Sequence, residues 1–323
     1  MYKKIYNVIK KYNNIVISRH INGDPDAYGS ELALRDSIKL TFPKKNVFAV
    51  GNALAKFSFM GKIDSITEVE NLEDVLLIVL DTPDKKRVDM IEKIPYTYSV
   101  KIDHHPFMEK FCNIELISEK KSSASEMVID LIYNTKLRMN QSIAKNLFCG
   151  VISDTNRFLF NNSTYKTFEQ IARIIKEYKL DITEAYEDLY RRSFNEMQLL
   201  GYISSNMKIT ENGVGYIKLE NSTLQKYNMD GSSIGSLINE FNNVEELLIW
   251  TIATEDVKNS MIKISIRSRG PVINKVAERY SGGGHKQASG ARTPSFEEFK
   301  ELVKDLDKEA AKYIERCDIY ENN

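Results

Sequence analysis

The sequence predicts an α/β protein: an N-terminal domain on a doubly wound, mostly parallel sheet, and a smaller C-terminal α/β domain, joined by a helical connector. Three observations predict it. Short β-rich runs alternate with helical spacings through the first half of the chain. One run, VLLIVL at 75–80, is apolar at every position, as a parallel strand covered on both faces should be. After a Pro-free helical stretch from about Thr164 to Lys208, the alternation resumes.

Taken in order, MYKKIYNVIKKY reads as an amphipathic first helix, since it lacks the apolar stretch of a signal peptide. NIVIS (14–18) is a strand, followed by a helix from Ala27 to Leu40 and a strand at NVFAV (46–50). After VLLIVL, RVDMIEKI is expected to be helical and YSVKI (98–102) a further buried strand. SASEMVIDLIYN, SIAKNLFCGVIS, TFEQIARIIKEY and ITEAYEDLYRRSFNEMQLL all carry helical spacing. The second half reads as strand GVGYIKLE, helix SIGSLINEF, strands LLIWTIATE and MIKISIRSR, and helix VINKVAERY. The glycine-rich SGGGHKQASGA follows, then a closing helix from Ser295 to about Ile314. These readings place a first domain at 1–190, a connector at 191–210 and a second domain at 211–323, with no Gly/Pro-rich linker between them.

Composition narrows the function classes. In 323 residues, 45 Lys and Arg balance 45 Asp and Glu, so the formal net charge is zero. Proteins that hold long nucleic acid by bulk electrostatics carry a basic excess, so small anionic substrates are favoured. No apolar run is long enough to cross a bilayer. Cys112, Cys149 and Cys317 are far apart and odd in number, fitting neither a zinc site nor a disulfide framework, which points to the cytoplasm.

The chemically useful residues sit where an open α/β sheet places ligands, just past the carboxyl ends of strands. His20, Asp24 and Asp26 follow the first strand in HINGDPDAYGS; Asp81 follows VLLIVL; Asp103, His104 and His105 follow YSVKI. Asp154, in GVISDTNRF, falls at a helix end. Imidazoles mixed with carboxylates suit Mn, Fe or Mg better than a structural zinc site. Several carboxylates in one crevice repel one another unless cations neutralise them. Two bridged divalent ions about 3.5–4 Å apart would do so and would create a hydrolytic centre. Singly, each aspartate is more often a cap or turn residue. The histidines decide the matter: with only 4 in the chain, composition alone gives roughly 0.05 adjacent pairs, and the observed pair ends an apolar strand.

HINGDPDAYGS, LDT at 80–82, DHH at 103–105 and SDT at 153–155 together resemble the four motifs of the DHH phosphoesterase family. SGGGHKQASG resembles the glycine-rich signature of the associated domain of its nanoRNase and RecJ branches, and the chain length suits the nanoRNase/pAp-phosphatase type. Gly23 and Asn156 stand where relatives often have proline and glycine; neither is a ligand position. The resemblance implies two divalent ions, Mn2+ first with Mg2+ or Fe2+ as substitutes. His20 and Asp24 would hold one, and Asp26, His104 and Asp154 the other, with Asp81 bridging. Water activated there would attack phosphorus. His105 would contact a phosphate oxygen, and Asp103 would orient a ligand histidine.

The second domain is expected to grip substrate. Gly282, Gly283 and Gly284 would let backbone N–H groups approach a phosphate, with His285 beside them. Arg267 and Arg269 would share one strand face, with Ser268 on the other, and offer bidentate phosphate contacts. Plain loop and solvated face are the bland alternatives. Ser122, Ser123 and Glu126 read as a capping box whose hydroxyls could reach a phosphate at the helix N-terminus. Arg157 would face the crevice or pair at the surface, and Trp250 reads as core.

The resemblance implies hydrolysis of very short oligoribonucleotides to 5′-mononucleotides, with 3′-phosphoadenosine 5′-phosphate (pAp) phosphatase as a second activity. Cyclic di-AMP or pApA hydrolysis is the rival. A non-catalytic nucleotide sensor is disfavoured by the complete ligand set, and a polyphosphate or pyrophosphate hydrolase by the glycine-rich second domain. Short RNA, pAp or dinucleotides are the expected partners. No membrane or long nucleic acid is required, and a homodimer is left open. The full site is expected to need both domains.

Overall fold

A computed structural model of the protein describes residues 1–231 and 234–321. The chain divides into two units, Met1–Arg191 and Arg192–Asn323.

In the first unit, helix α1 (Tyr2–Lys11) buries Ile5 and Ile9, one turn apart, as its amphipathic spacing predicts. Then come β1 (Asn14–Ser18), α2 (Pro25–Thr41), β2 (Asn46–Ala49), β3 (Val75–Leu80), β4 (Tyr96–Asp103) and β5 (Ile114–Ile117). Helices α3 (Ala124–Tyr133), α4 (Gln141–Asp154), α5 (Tyr165–Tyr178) and α6 (Ile182–Tyr190) complete it. The five strands are parallel, in the order β2-β1-β3-β4-β5. The chain turns outward from β1 to β2, then crosses back to β3 on the other side of β1. The topological switch point therefore lies between β1 and β3.

VLLIVL is buried at every position, and its alternate residues feed two cores. Leu76, Ile78 and Leu80 join the core under α1–α4, whereas Val75, Leu77 and Val79 face the other layer. That second layer contains short 3-10 turns, Ile66–Glu68, Lys85–Arg87 and Ile91–Lys93, where RVDMIEKI is expected to be helical. Asp89, in the middle of that stretch, is 2% exposed. Its carboxylate accepts from the Asn52 backbone N–H at 2.7 Å and faces the Arg19 guanidinium at 3.4 Å. Those partners hold the backbone out of a continuous helix. On the helical layer, Gly29 lets α2 close against α4, since a Cβ there would lie 2.5 Å from the Asn146 carbonyl oxygen.

The second unit opens with α7 (Phe194–Asn206). The helical spacing of ITEAYEDLYRRSFNEMQLL is split into α6 and α7 because Ser193 and Glu196 form a capping box. Strands β6 (Lys208–Ile209) and β7 (Val214–Leu219) and helices α8 (Asn221–Lys226) and α9 (Ile234–Leu237) follow. The predicted helix SIGSLINEF begins at Ser233, which lies outside the described residues. The unit continues with β8 (Ile249–Asp256), β9 (Met261–Ser268), α10 (Asn274–Arg279), β10 (Gly283–Gly284), β11 (Ala288–Thr293) and α11 (Phe296–Glu321). The sheet order is β10-β11-β9-β8-β7-β6, with β7 and β8 parallel and the other pairs antiparallel. One face packs on Val276, Phe299, Leu302 and Leu306. The other, which presents Trp250, packs on Leu199 and Ile203 of α7 with Leu224 and Leu237. Trp250 is core, its indole N–H donating to the Ile238 carbonyl at 2.8 Å.

Candidate active site

The ends of β1, β3 and β4 bring their polar residues together at the switch point. His20, just past β1, donates from Nδ1 to the Ile21 carbonyl at 2.9 Å, which turns Nε2 inward. Nε2 lies 3.4 Å from Asp81 Oδ2 and 3.9 Å from Asp24 Oδ2. Asp24 is the N-cap of α2, its Oδ1 accepting from the Asp26 and Ala27 N–H groups, so only Oδ2 faces His20. Asp81 is 1% exposed and left-handed, with φ of 52°. Non-glycine residues rarely take that conformation without compensation. It presents Oδ1 to His104 Nε2 at 3.2 Å and to His105 Nδ1 at 3.5 Å. His104 Nε2 also lies 3.1 Å from Asp154 Oδ2, at the last residue of α4.

Asp26 enters from α2. Its Oδ2 accepts from Ala124 N–H at 2.7 Å and its Oδ1 from Ser125 N–H at 2.8 Å, both in the first turn of α3. A carboxylate therefore fills the α3 N-terminus. This corrects the expectation that Ser122 and Ser123 reach a phosphate there. Both serines are fully buried. Ser122 Oγ donates to Glu126 at 2.6 Å, and Ser123 Oγ accepts from the Glu126 N–H at 3.0 Å.

Asp103 also differs from its expected part. Its Oδ1 accepts from His105 at Nδ1 (2.8 Å) and at the backbone N–H (3.2 Å), so it orients His105 and not the expected ligand, His104. The bond favours the His105 tautomer that carries its proton on Nδ1.

The electrostatics are those of an acidic site in need of cations. Burial pushes Asp26 well above the usual carboxylate range, aided by the charges of Asp81 and Asp154. Burial likewise raises Asp154 to about 6, although His104 opposes it. Burial would raise Asp81 too, but the imidazoles of His104 and His20 beside it hold it far below that range. Burial lowers His20, yet Asp81 and Asp24 together lift it to about 9. His104 is also raised well above the usual imidazole range, its carboxylate partners Asp154 and Asp81 outweighing its burial. His104 Nε2 and Asp81 Oδ1 are buried and satisfied by no hydrogen bond, which is costly unless something else fills the place. Three ligand groups converge within 4.8 Å: His20, Asp24 and Asp81; Asp26, His104 and Asp154; and Asp81, His104 and His105. Orphaned donor atoms and mixed imidazole and carboxylate ligands fit divalent cations.

Arg157 follows Asp154 through a run of left-handed residues, Asn156, Arg157 and Phe158, at φ of 45°, 63° and 67°. Its guanidinium lies over the Tyr190 ring, 5.2 Å from the centroid, instead of pairing at the surface.

In the second unit, SGGGHKQASG forms a hairpin, with Gly283 and Gly284 pairing Gly290 and Ser289. Two glycines have a packing cause. A Cβ on Gly282 would meet the Gly290 carbonyl at 2.0 Å, and Gly284 has φ of +136°. Around Gly283 the space is open. His285 is exposed beside it. Arg267 and Arg269 do not share a strand face, because β9 ends at Ser268. Arg267 donates from Nε to Asn239 at 3.1 Å, whereas Arg269 reaches the Glu245 carbonyl at 2.9 Å. Ser268 Oγ donates to the Pro271 carbonyl at 2.6 Å and closes the turn after β9.

Sequence reasoning passed over two buried cations that brace the site. Arg19, fully buried, sits 4.0 Å over the Tyr28 ring and 3.0 Å from Glu31. Lys101, also buried, donates to the carbonyls of Pro83 at 3.3 Å and Glu109 at 3.4 Å. It thereby ties the segment after Asp81 to the loop after His105. The signals in the sequence were Lys101 within the run YSVKI and Arg19 directly after NIVIS.

Residues 14–151 match the DHH family, N-terminal domain, and residues 213–312 the DHHA1 domain. The chain is 33% identical, over 95% of its length and 98% of the relative's, to the bifunctional oligoribonuclease and PAP phosphatase NrnA of Bacillus subtilis. It is 31% identical to a probable bifunctional oligoribonuclease and PAP phosphatase NrnA of Streptococcus mutans, over 94% of this chain and 97% of that one. Among solved structures it resembles an exopolyphosphatase-related protein from Bacteroides fragilis, with a TM-score of 0.86, 26% identity and coverage of 97% and 96%. Among the described residues, no helix is long and apolar enough to cross a membrane.

Proposed function

The chain belongs to the DHH family and carries a DHHA1 domain, and from that premise we propose that it hydrolyses very short oligoribonucleotides to 5′-mononucleotides and removes a phosphate from pAp. It is a hydrolase of phosphoester bonds. One observation supports this reading above the rest. Asp81, at the switch point, faces three imidazoles, with Asp24, Asp26 and Asp154 around them.

His20, Asp24, Asp26, Asp81, His104 and Asp154 are the residues that would hold two divalent ions, Mn2+ foremost. Such ions, when bound, supply Lewis-acid stabilisation of the phosphoryl oxygens and a nucleophile at neutral pH. The protein's own part is positional. His20 and Asp24 are locked by local backbone bonds, and Asp26 by the α3 amides. Asp103 accepts the Nδ1–H of His105 and orients its ring; as an imidazolium held by that carboxylate, His105 would donate a hydrogen bond from Nε2 to a phosphoryl oxygen as charge accumulates. In this reading the second unit holds the nucleotide, through Arg267, His285 and the open backbone at Gly283. The three free cysteines favour a reducing, cytoplasmic setting.

The test is a substrate panel with the Mn2+-loaded protein: RNAs of two to five nucleotides, pAp, pApA and cyclic di-AMP. Mononucleotide release from the short RNAs and phosphate release from pAp are expected. Turnover of cyclic di-AMP or pApA alone would transfer the assignment to dinucleotide hydrolysis. No release from any short RNA would overturn the reading.

A further inference from the structure

The stretch between β3 and β4 carries a feature that the site above does not use. A cavity of about 460 Å³ is lined by Lys85, Lys86 and Lys93 on one side and by Val88, Met90 and Ile91 on the other. That volume lies in the range of small-molecule sites, which combine an apolar wall with a few placed charges. Among the described residues none of the three ammonium groups makes a hydrogen bond or an ion pair. In the second unit, by contrast, α11 lysines find acidic partners three residues away, as Lys300 does with Glu297 and Lys304 with Glu301. Met90 at the cavity wall is left-handed, with φ of 55°, a conformation a non-glycine residue adopts only where its surroundings impose it.

The cavity adjoins the segments that carry the catalytic cluster. The Ile21 N–H donates to the Arg87 carbonyl at 2.8 Å, and His20 forms a β-bridge with Val88. The Lys85 N–H donates to Glu109 Oε1 at 2.7 Å, on the loop that follows His105. Asp84, which caps the turn carrying Lys85, lies three residues after Asp81. A group seated here would be a neighbour of one seated on His20 and Asp81. The lining carries three cations against two carboxylates, Glu92 and Glu109, and Glu109 is already engaged by the Lys85 N–H. An anion beside an apolar, flat body matches that surface: phosphate toward the lysines, and a base against Val88, Met90 and Ile91.

We infer that this cavity is a subsite for a nucleoside monophosphate unit, distinct from the metal cluster and from the second unit. The inference rests on the proposed phosphoesterase reading for its nearest source, the neighbouring nucleotide of a short strand. A free mononucleotide carries the same chemistry.

The experiment uses the full-length protein and AMP as probe. Calorimetric titration of AMP is compared between the wild type, Lys85→Ala/Lys86→Ala/Lys93→Ala and the corresponding triple Lys→Arg variant. Losing charge-assisted contacts to one phosphate should weaken AMP binding by about tenfold or more, and the arginine variant should restore it. All three side chains are exposed, so the fold is preserved, which circular dichroism would verify. If the source is the strand itself, the alanine variant raises KM for a dinucleotide by a similar factor with kcat kept, and AMP inhibits competitively. If the source is free mononucleotide, KM stays constant and AMP acts without competing. Equal AMP affinity in the wild type and the alanine variant would overturn the subsite. The titration needs no turnover. An inactive wild type that still loses AMP affinity in the alanine variant would sink the phosphoesterase reading and leave the subsite standing.

Discussion

Ser125 donates its backbone N–H to Oδ1 of Asp26 at 2.8 Å, across 99 residues of sequence, and so fixes a carboxylate that no local bond holds. Gly150 of α4 stands directly behind this contact. A Cβ at that position would lie 2.0 Å from Ser125 Oγ and 2.8 Å from Asp26 Oδ1. Neither neighbour can retreat, because both are buried. Gly150→Ala should therefore destabilise the protein by about 1–3 kcal/mol and displace Asp26, with activity falling more steeply than stability. Denaturant unfolding and turnover of the same preparation would check both; unchanged values for both would refute the packing account.

Asp103 acts through His105. Asp103→Asn should leave the fold and metal binding nearly intact and lower kcat by about 10- to 100-fold, since the amide can present an N–H where His105 needs an acceptor. The split between kcat and metal affinity is the measurement. A matching loss of metal binding would show that Asp103 serves the ligands instead.

Asp81 faces His20, His104 and His105 at 3.2–3.5 Å. Addition of Mn2+ to the metal-stripped protein should raise Tm, because a ligand at 100 times its Kd stabilises the state it binds by about 2.7 kcal/mol. In Asp81→Asn that rise should vanish, and turnover should fall by about a thousandfold or more. A full thermal response to Mn2+ in the variant would place the ions elsewhere.

Glu31 gives a pH prediction away from the cluster. It is completely buried, 3.0 Å from Arg19, and burial raises it to about 8 against the pull of Arg19 and Arg35. Its folded pKa lies above the unfolded value of 4.5, so between these limits the folded chain binds more protons than the unfolded one. Stability from this group is complete below pH 4.5 and is lost as pH rises through 8. Glu31→Gln should flatten that part of the stability profile, read by unfolding at a series of pH values. A profile parallel to the wild type would show that Glu31 stays ionised throughout.

Much of the architecture is legible in the sequence because its periodicities are local. VLLIVL is buried at every position, and NIVIS is a strand over its full predicted span. Ile5 and Ile9 share the buried side of α1. What escapes the sequence depends on distant partners. Helical spacing in RVDMIEKI yields to the bonds of Asp89 with Arg19 and Asn52. The short edge strand IELI breaks its apolar pattern at Glu115, whose carboxylate accepts the N–H groups of Phe111 and Cys112. The cluster residues stand out by type and by their place after strands. Which of them Asp103 serves does not, since two adjacent histidines are equivalent until the backbone turns one toward it. The α3 N-terminus looks vacant in SSASE because its occupant, Asp26, is 98 residues upstream of Ala124.

The first unit draws its cluster from segments strung between His20 and Asp154. During translation those pieces emerge over more than a hundred codons. A nascent chain halted before α4 has left the ribosome would carry DHH and the loop after β1 but not Asp154, nor the helix that closes on Asp26. Domains fold as units as they are synthesised. The cluster is thus incomplete on the growing chain, and its carboxylates and imidazoles meet only when the unit is whole.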